Sequence, residues 1–299
     1  MTLWLAMLLD AIFGEPRWLW RRAPHPAVLM GRGVDLLDSL LNKGNSRKLR
    51  GIASLLILIV SALSIGGVLH ALPGVWAEVI LGAILLAQRS LVEHVAAVAT
   101  GLRTSVEDGR RSVSMIVSRD TSTMDESSVV RSALESAAEN FSDGVIAPLF
   151  WFALAGLPGL LVYKIVNTAD SMIGYQNDKY RQFGWASARF DDLLNYIPAR
   201  LTAFLIWGVG GFRGSWADIT RDAGLHRSPN AGWPEAAFSR VLDIALAGPR
   251  SYDGEMRTFP YVNATGRKHL SPNDIDSGTR LLWRVWALAF GIALLIWLL

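Results

Sequence analysis

Apolar segments of membrane-spanning length constrain this chain more than any other feature. Ile52 to Leu72 is almost entirely apolar, the uncharged turn Pro73-Gly74 follows, and a second apolar run extends from about Val75 to Ala87. A transmembrane helix needs about 20 such residues. Lys and Arg are dense just before the first run, as is typical of cytoplasmic loops. The sequence predicts a membrane hairpin whose second helix continues past Gln88 into the cytoplasm.

Composition supports an integral membrane protein. Hydrophobic residues make up 51% of the 299 residues and charged residues 18%, below the ~25% usual in soluble domains. The 12 Trp residues suit membrane–water interfaces. Cysteine is absent, which excludes disulfides and thiolate chemistry, and a net charge of +3 carries no nucleic-acid signature.

The remaining segments complete the predicted topology. Thr2 to Phe13 is apolar but short and is interrupted by Asp10, whereas Leu281 to Leu299 is long enough for a span. Residues 213–280 are polar and predict an extramembrane segment. Asp120 or Thr121 is predicted to cap the helix that begins near Asp125. We expect one domain over residues 1–299: an all-α, polytopic membrane protein with broken or re-entrant helices and cytoplasmic helical segments.

Gly144 to Val166 is long enough for one span, but Gly156-Leu-Pro158-Gly159 divides it in half. Broken apolar helices often form re-entrant hairpins whose ends meet on one side of the membrane. A hairpin would return Asn167 and Asp170 to the side of Asp143, and a single span would place them on opposite sides. We favour the hairpin.

An acidic helix leads into that segment. Glu135, Glu139 and Asp143 are four residues apart, so they share one helix face if the last turn is regular. Such a face suits a divalent metal that holds a phosphate. The alternative is a solvated face on which Arg131 pairs with Glu135.

The chain has three further polar groups, and three of the four groups in total touch short apolar runs. The further groups are Asn167/Asp170/Ser171, Asp191/Asp192/Asn195/Arg200 and Asn230/Glu235. Carboxylate and amide oxygens suit Mg²⁺, and Lys179, Arg181, Arg189 and Arg200 could bind phosphate or carboxylate. The alternative is local pairing of the two adjacent aspartates with Arg189 and Arg200. P-loop, G-x-G-x-x-G and G-x-S-x-G motifs are absent from the sequence, and the five histidines are not spaced as metal ligands.

Several blocks of this sequence resemble the signature motifs of one family. In chain order they are Asp10-x-x-x-Gly14-x-Pro16, Val117-Ser118-Arg119-Asp120-Thr121, Glu139-Asn140-x-x-Asp143-Gly144, Asn167-Thr168-x-Asp170-Ser171-Met172, Asp191-Asp192-x-x-Asn195-x-Ile197-Pro198-Ala199-Arg200 and Ser228-Pro229-Asn230-Ala231-Gly232-x-Pro234-Glu235. They are similar to those of the adenosylcobinamide-phosphate synthases, the CobD/CbiB family of cobalamin biosynthesis. Glu15 and Ser118 depart from the Asp and Gly common in that family.

The resemblance implies a multi-pass ligase of the cell inner membrane whose active site faces the cytoplasm. It would join (R)-1-aminopropan-2-ol O-phosphate, or aminopropanol, to the corrinoid adenosylcobyric acid, with ATP as co-substrate and Mg²⁺. Ethanolamine phosphate and threonine phosphate stay open as the amine. Membrane lipid is an expected partner and nucleic acid is not; a homo-oligomer or a complex with other cobalamin-assembly enzymes also stays open.

Individual roles follow as hypotheses. Metal ligands would be Glu135, Glu139, Asp143, Asp170, Asp191 and Asp192, and the catalytic set would be Glu139, Asp143, Asp170, Asp192 and Glu235, the last accepting the amine proton. Substrate would be bound by Asn140, Asn167, Ser171, Lys179, Arg181, Asn195, Arg200 and Asn230. A membrane regulator without ligase activity and a transferase acting on a phosphorylated lipid are the rival interpretations.

Overall fold

A computed structural model describes residues 1–252 and 255–298, and these residues are mostly helical. The chain forms two compact units. Unit 1 comprises residues 1–87 and 143–196, and unit 2 comprises residues 88–142 and 197–299. Each unit is assembled from two separate stretches of sequence. The expectation of a single domain over 1–299 stays a prediction.

Unit 1 contains the predicted membrane hairpin and the broken apolar segment from Gly144 to Val166. Its helices are α1 Thr2–Phe13, α2 Arg17–Trp20, α3 Pro26–Leu41, α4 Arg47–His70, α5 Trp76–Leu85 and α9 Ala147–Ile173, with the first part of α10 Trp185–Val209. Helix α4 packs along α9, α1 packs on α5, and α3 also contacts α9. The start of α3 is fixed locally, because the His25 ring accepts a hydrogen bond from the Ala27 N–H and Pro26 occupies the first turn.

Helix α9 reverses direction, which confirms the predicted hairpin. Ala155 and Gly156 leave the helical conformation, and Gly156 has φ 61° and ψ −158°, a combination that essentially only glycine adopts. The Tyr163 hydroxyl lies 3.0 Å from the Asp143 carbonyl oxygen, whereas a straight helix would separate these residues by about 30 Å. The turn of the hairpin packs closely on α4, because a Cβ at Gly66 would lie 2.6 Å from the Pro158 Cα.

The expectation that the second span runs on past Gln88 as one helix is wrong. Helix α5 ends at Leu85, Leu86 is extended with ψ 148°, and α6 begins at Gln88. The Ala87 N–H donates to the Gly144 carbonyl oxygen at 3.2 Å instead of continuing the helical ladder. A tertiary hydrogen bond therefore replaces the local one at this point.

Unit 2 is also built mainly from helices. It contains α6 Gln88–Thr104, α7 Val106–Val113, α8 Glu126–Phe141, the end of α10, α11 Trp216–Ala223, α12 Gly232–Leu242 and α13 Pro272–Leu298. Helix α6 packs against α7, α8 and α13, and α11 packs on α12. Two small antiparallel sheets pair β1 Leu246–Ala247 with β4 Tyr261–Val262 and β2 Arg250–Tyr252 with β3 Glu255–Arg257. The last helix begins at Pro272, earlier than the predicted span at Leu281.

Both ends of α8 differ from expectation. Its N-cap is Asp125, whose carboxylate accepts the Ser128 N–H at 2.8 Å, and Asp120 instead accepts the Ser122 N–H outside the helix. After Phe141 the chain forms a π-helical turn at Ser142–Ile146. The regular last turn on which the stacking of Asp143 depended is therefore absent.

Within the described residues, four helical stretches are long and apolar enough to cross a membrane. They are Arg47–His70, Trp76–Thr104, Glu126–Ile173 and Pro272–Leu298. The third contains the hairpin break, and the second contains the interruption at Leu86 and Ala87. Thr2–Phe13 is a shorter apolar helix, as predicted. The all-α, polytopic membrane fold class is confirmed.

Candidate functional site

Asp191 is the centre of a buried polar group in unit 1. Its carboxylate accepts hydrogen bonds from the Asn195 Nδ2 at 2.9 Å and the Asn167 Nδ2 at 3.4 Å, and the residue is 8% exposed. Asn167 comes from the second arm of the hairpin, whereas Asp191 and Asn195 lie one turn apart on α10. The hairpin thus delivers an amide to the carboxylate on the neighbouring helix.

Tyr163 connects this group to the start of the hairpin. Its hydroxyl lies 3.0 Å from the Asn195 Oδ1 and 3.0 Å from the Asp143 carbonyl oxygen, and the side chain is fully buried. The chain of contacts therefore runs from the backbone of Asp143 through Tyr163 and Asn195 to the carboxylate of Asp191. A satisfied buried network of this kind holds its members in fixed orientations.

Two more carboxylates complete what we call the acidic group: Asp170, Asp191 and Asp192 with Asn167 and Asn195. Burial, together with the negative charge of Asp170, raises the pKa of Asp191 to about 7, although the hydrogen bonds from Asn195 and Asn167 oppose the rise. Burial also raises the pKa of Asp192, against the opposing charge of Arg189, whose Nη1 is 3.7 Å away. Two acids that repel one another in a buried setting form a site that a cation would stabilise.

The acidic group lies near the basic end of α4. The Lys48 ammonium sits 3.8 Å from the centre of the Trp185 ring at the start of α10. A Cβ at Gly51 would lie 1.9 Å from the Phe183 carbonyl oxygen, and one at Gly184 would lie 1.6 Å from the Ile173 carbonyl oxygen. These close approaches fix the C-terminal end of α9 and the N-terminal end of α10 beside the N-terminal turns of α4.

Lys164 is a charged residue of unit 1 that the sequence argument missed. It lies in the second arm of the hairpin and is half-buried, and the carboxylates of Asp143 and Glu15 act on its charge. An ionisable side chain inside an apolar helix is a functional candidate by default. That rule, applied to Tyr163-Lys164, would have found both residues.

In unit 2, Glu135 uses both carboxylate oxygens on protein partners. Its Oε2 lies 2.8 Å from the Arg119 Nη2 and its Oε1 accepts the Ala247 N–H at 2.7 Å, with 3% of the residue exposed. Arg131, the alternative partner of Glu135, instead donates to the carbonyl oxygens of Ala245 and Lys268. This geometry favours a positioning role for Glu135 over the predicted metal-ligand role.

A second polar group of unit 2 surrounds the start of α12. The Arg200 Nη1 donates to the Asn230 Oδ1 at 3.2 Å, and its guanidinium lies 4.7 Å from the Trp233 ring centre. Glu235 is 3% exposed, and its Oε1 is 3.9 Å from the His226 Nε2. Arg200 therefore bonds the side-chain amide of Asn230. Arg189 pairs with Asp192, as the alternative of local pairing predicted.

A family model described as CobD/Cbib protein matches residues 3–282. The chain belongs to the CobD/CbiB family. The match extends over both units, so the acidic group and the polar groups of unit 2 all lie within the CobD/CbiB region.

Curated relatives named cobalamin biosynthesis protein CobD are similar over almost the full length of this CobD/CbiB chain. The protein of Sinorhizobium sp is 47% identical over 98% of this chain and 96% of its own length, and that of Sinorhizobium fredii is 48% identical over 95% and 92%. The protein of Rhodobacter capsulatus is 44% identical over 98% and 96%. No solved structure matches the chain.

Several predicted site residues of this CobD/CbiB chain lie near the surface. Lys179 forms an ion pair with Asp38 at 3.0 Å and bonds the Tyr180 hydroxyl, and Arg181 is exposed. The Ser171 hydroxyl donates to the Thr168 carbonyl oxygen at 2.9 Å. In unit 2, Glu139 is exposed and the exposed Asn140 side chain donates to the Ser136 carbonyl oxygen. Their functional roles stay predictions.

Of the predicted ligands, unit 1 brings together the five residues of the acidic group. Within residues 1–252 and 255–298, no group of three or more His, Cys, Asp or Glu side chains is arranged to hold a metal ion alone. Mg²⁺ usually binds one or two carboxylates and completes its shell with water and substrate phosphates. Asp170 and Asp191 are the two carboxylates of the acidic group that would suit such an ion, and a metal role for them stays a prediction.

Proposed function

We propose that this chain acts in cobalamin biosynthesis as an ATP- and Mg²⁺-dependent amide ligase. It would join (R)-1-aminopropan-2-ol O-phosphate, or aminopropanol, to the propionate of adenosylcobyric acid, and release adenosylcobinamide phosphate in the first case. Family membership and the names of the relatives support the pathway. The observation that carries the chemistry is the buried Asp191 beside a second carboxylate, Asp170.

Amide formation from a carboxylate needs an oxygen converted into a leaving group. The substrate carboxylate would attack the terminal phosphorus of ATP and displace ADP, and the amine would then attack the acyl carbon and displace phosphate. The amine loses one proton in that step, and Glu235 is the predicted acceptor. Asp170 and Asp191 would hold Mg²⁺, which supplies positive charge to the nucleotide phosphates when bound.

The residues of unit 1 would orient the reaction. Asn167 and Asn195 fix the Asp191 carboxylate, and Tyr163 fixes Asn195. The Lys164 ammonium is a candidate phosphate ligand on the same hairpin arm. The acidic group lies near the basic end of α4. Because Lys and Arg are enriched in the cytoplasmic loops of membrane proteins, this position supports a site that faces the cytoplasm in an inner-membrane protein.

The deciding experiment is reconstitution of the full chain in lipid nanodiscs with adenosylcobyric acid, the phosphorylated amine and MgATP. We expect the amide product by mass spectrometry, and no product when ATP or Mg²⁺ is left out. Asp191→Asn should give none, and Asp276→Asn, at a half-buried acid of unit 2 outside the proposed site, should leave turnover unchanged. Absence of product from the unmodified chain would overturn the proposal and favour a regulator, and turnover without ATP would favour a lipid-phosphate transferase.

A further inference from the structure

A cleft in unit 2 lies outside the acidic group and combines cationic, anionic and hydroxyl side chains. It measures about 500 Å³ when the space open to solvent is included, and it lies between the loop before α8, the first turns of α8 and the end of β1. Among the polar side chains that line it are Arg119, Asp120, Thr123, Ser128, Arg131 and Glu135. We call it the Arg119 cleft.

Arg119 is held in place for binding. Its side chain is 16% exposed, and its guanidinium contacts the buried Glu135, which also accepts a hydrogen bond from the Ala247 N–H. A guanidinium has five N–H donors in a rigid fork, so a bond to Glu135 is compatible with further bonds to a ligand. Planar guanidinium groups recognise phosphate well because two parallel N–H bonds match its oxygens.

Arg131 gives the cleft a second cation. Its Nε and Nη2 donate to the carbonyl oxygens of Ala245 and Lys268, and these bonds fix the direction of the side chain. Thr123 and Ser128 add hydroxyl groups to the lining. Two oriented guanidinium groups with nearby hydroxyls are the chemistry that binds a phosphate monoester.

Asp120 adds a carboxylate to the same lining. Hydrogen bonds from the backbone and side chain of Ser122 lower its pKa, so the carboxylate is ionised at neutral pH. A nucleoside triphosphate carries several negative charges and would be repelled by Asp120 and Glu135. A small molecule with one phosphate and one ammonium group matches both signs of charge.

From this pattern we infer that the Arg119 cleft binds the phosphorylated amino alcohol, with the phosphate at Arg119 and Arg131 and the ammonium at Asp120. The inference rests on the proposed function for the identity of the ligand, and it assigns that ligand a place.

The test measures equilibrium binding of (R)-1-aminopropan-2-ol O-phosphate to the full chain in nanodiscs by calorimetry, without ATP or corrinoid. The principal variant is Arg119→Gln with Glu135→Gln, which replaces the ion pair by two neutral amides and keeps an acceptor for Ala247. The matched control is Arg103→Gln with Asp276→Asn, which neutralises another ion pair of unit 2. Arg119→Lys, which keeps the charge, serves if the principal variant fails to fold.

We expect the principal variant to weaken binding about tenfold or more, since charge-assisted hydrogen bonds are lost, and Arg119→Lys to weaken it by a smaller factor. The control should bind as the unmodified chain does. Asp120→Asn should weaken binding of the phosphorylated amine and leave binding of inorganic phosphate unchanged.

Three results would overturn the inference. The first is that the unmodified chain does not bind the phosphorylated amine at millimolar concentration. The second is that the cleft variants bind it as tightly as the control does. The third is that the cleft variants lose affinity for a non-hydrolysable ATP analogue and keep their affinity for the phosphorylated amine. Because binding is measured without turnover, an inactive ligase that still binds the amine through Arg119 would contradict only the proposed function.

Discussion

Replacing Asp191 with Asn removes a buried negative charge, and we expect this change to stabilise the folded protein above neutral pH while abolishing turnover. The pKa of Asp191 is raised from an ordinary 3.8 to about 7 by burial and by the charge of Asp170. One pKa unit corresponds to about 1.4 kcal/mol, so ionising Asp191 in the folded state costs at most about 4 kcal/mol. Asn resembles the protonated acid in shape and lacks the charge.

The direction in which stability changes with pH follows from proton binding to Asp191. Between pH 3.8 and about 7 the folded protein holds a proton on Asp191 that the unfolded chain has released. The contribution to stability is therefore greatest below the unfolded pKa and is lost as the pH rises to the folded pKa. Between about pH 5.5 and about pH 8.5 the free energy of unfolding of the unmodified protein should fall by about 2 kcal/mol relative to that of Asp191→Asn.

Thermal unfolding in nanodiscs without divalent cations, at several pH values across that interval, measures the difference. Asp191→Asn should unfold at a higher temperature than the unmodified chain at the alkaline end, and the gap should narrow toward the acidic end. The matched control is Asp192→Asn, because Asp192 is more exposed and has Arg189 as a partner, so a smaller gap is expected. Parallel pH profiles for the unmodified chain and Asp191→Asn would refute the reasoning.

Magnesium provides an independent check on the same residue. An ion that binds only the folded protein raises its stability by mass action. Adding Mg²⁺ at the alkaline end should therefore raise the unfolding temperature of the unmodified chain and have little effect on Asp191→Asn. An equal rise in both proteins would place the bound ion away from Asp191.

Three further substitutions test the hairpin. Tyr163→Phe should lower the free energy of unfolding by about 1–3 kcal/mol and lower turnover, because two buried acceptors lose the hydroxyl. The control Tyr196→Phe, at an exposed tyrosine of the same unit, should change neither. Equal unfolding temperatures for Tyr163→Phe and the unmodified chain would contradict the role of the hydroxyl. Gly156→Ala should cost about 1–3 kcal/mol and reduce membrane yield because its φ is positive, whereas Gly67→Ala, with open space around it, should not. Asp143→Asn should lower turnover far more than it lowers the membrane yield of the protein. An equal loss of turnover and membrane yield would indicate that Asp143 has a structural role.

The sequence predicted what depends on local patterns. Apolar length located α4 and α13, and the Gly156-Leu-Pro158-Gly159 block located the reversal of α9, because glycine and proline restrict the backbone at their own positions. The pairing of Asp191 with Asn195 also followed from sequence, since residues four apart share a helix face. These elements need no knowledge of distant contacts.

What sequence reasoning missed depends on contacts between distant residues. Local spacing offered Arg131 as the partner of Glu135, but the fold places Arg119 there, 16 residues earlier in the chain. The burial of Asp191 decides its pKa, and burial is set by packing rather than by the neighbouring residues. Arg200 likewise bonds Asn230, a residue that only the tertiary fold brings within reach.

Pro148 explains why the hairpin and the acidic group are coupled. Proline has no N–H, so it cannot donate to the carbonyl groups one turn before it. The Gly144 carbonyl, four residues earlier, accepts the Ala87 N–H, and the Asp143 carbonyl, five residues earlier, lies 3.0 Å from the Tyr163 hydroxyl. Buried carbonyl groups need partners, and the second arm of the hairpin supplies one to the π-helical turn next to Pro148, because it brings the Tyr163 hydroxyl to the Asp143 carbonyl oxygen. The same return places Asn167 against Asp191, so one missing backbone donor links the reversal of α9 to the assembly of the acidic group.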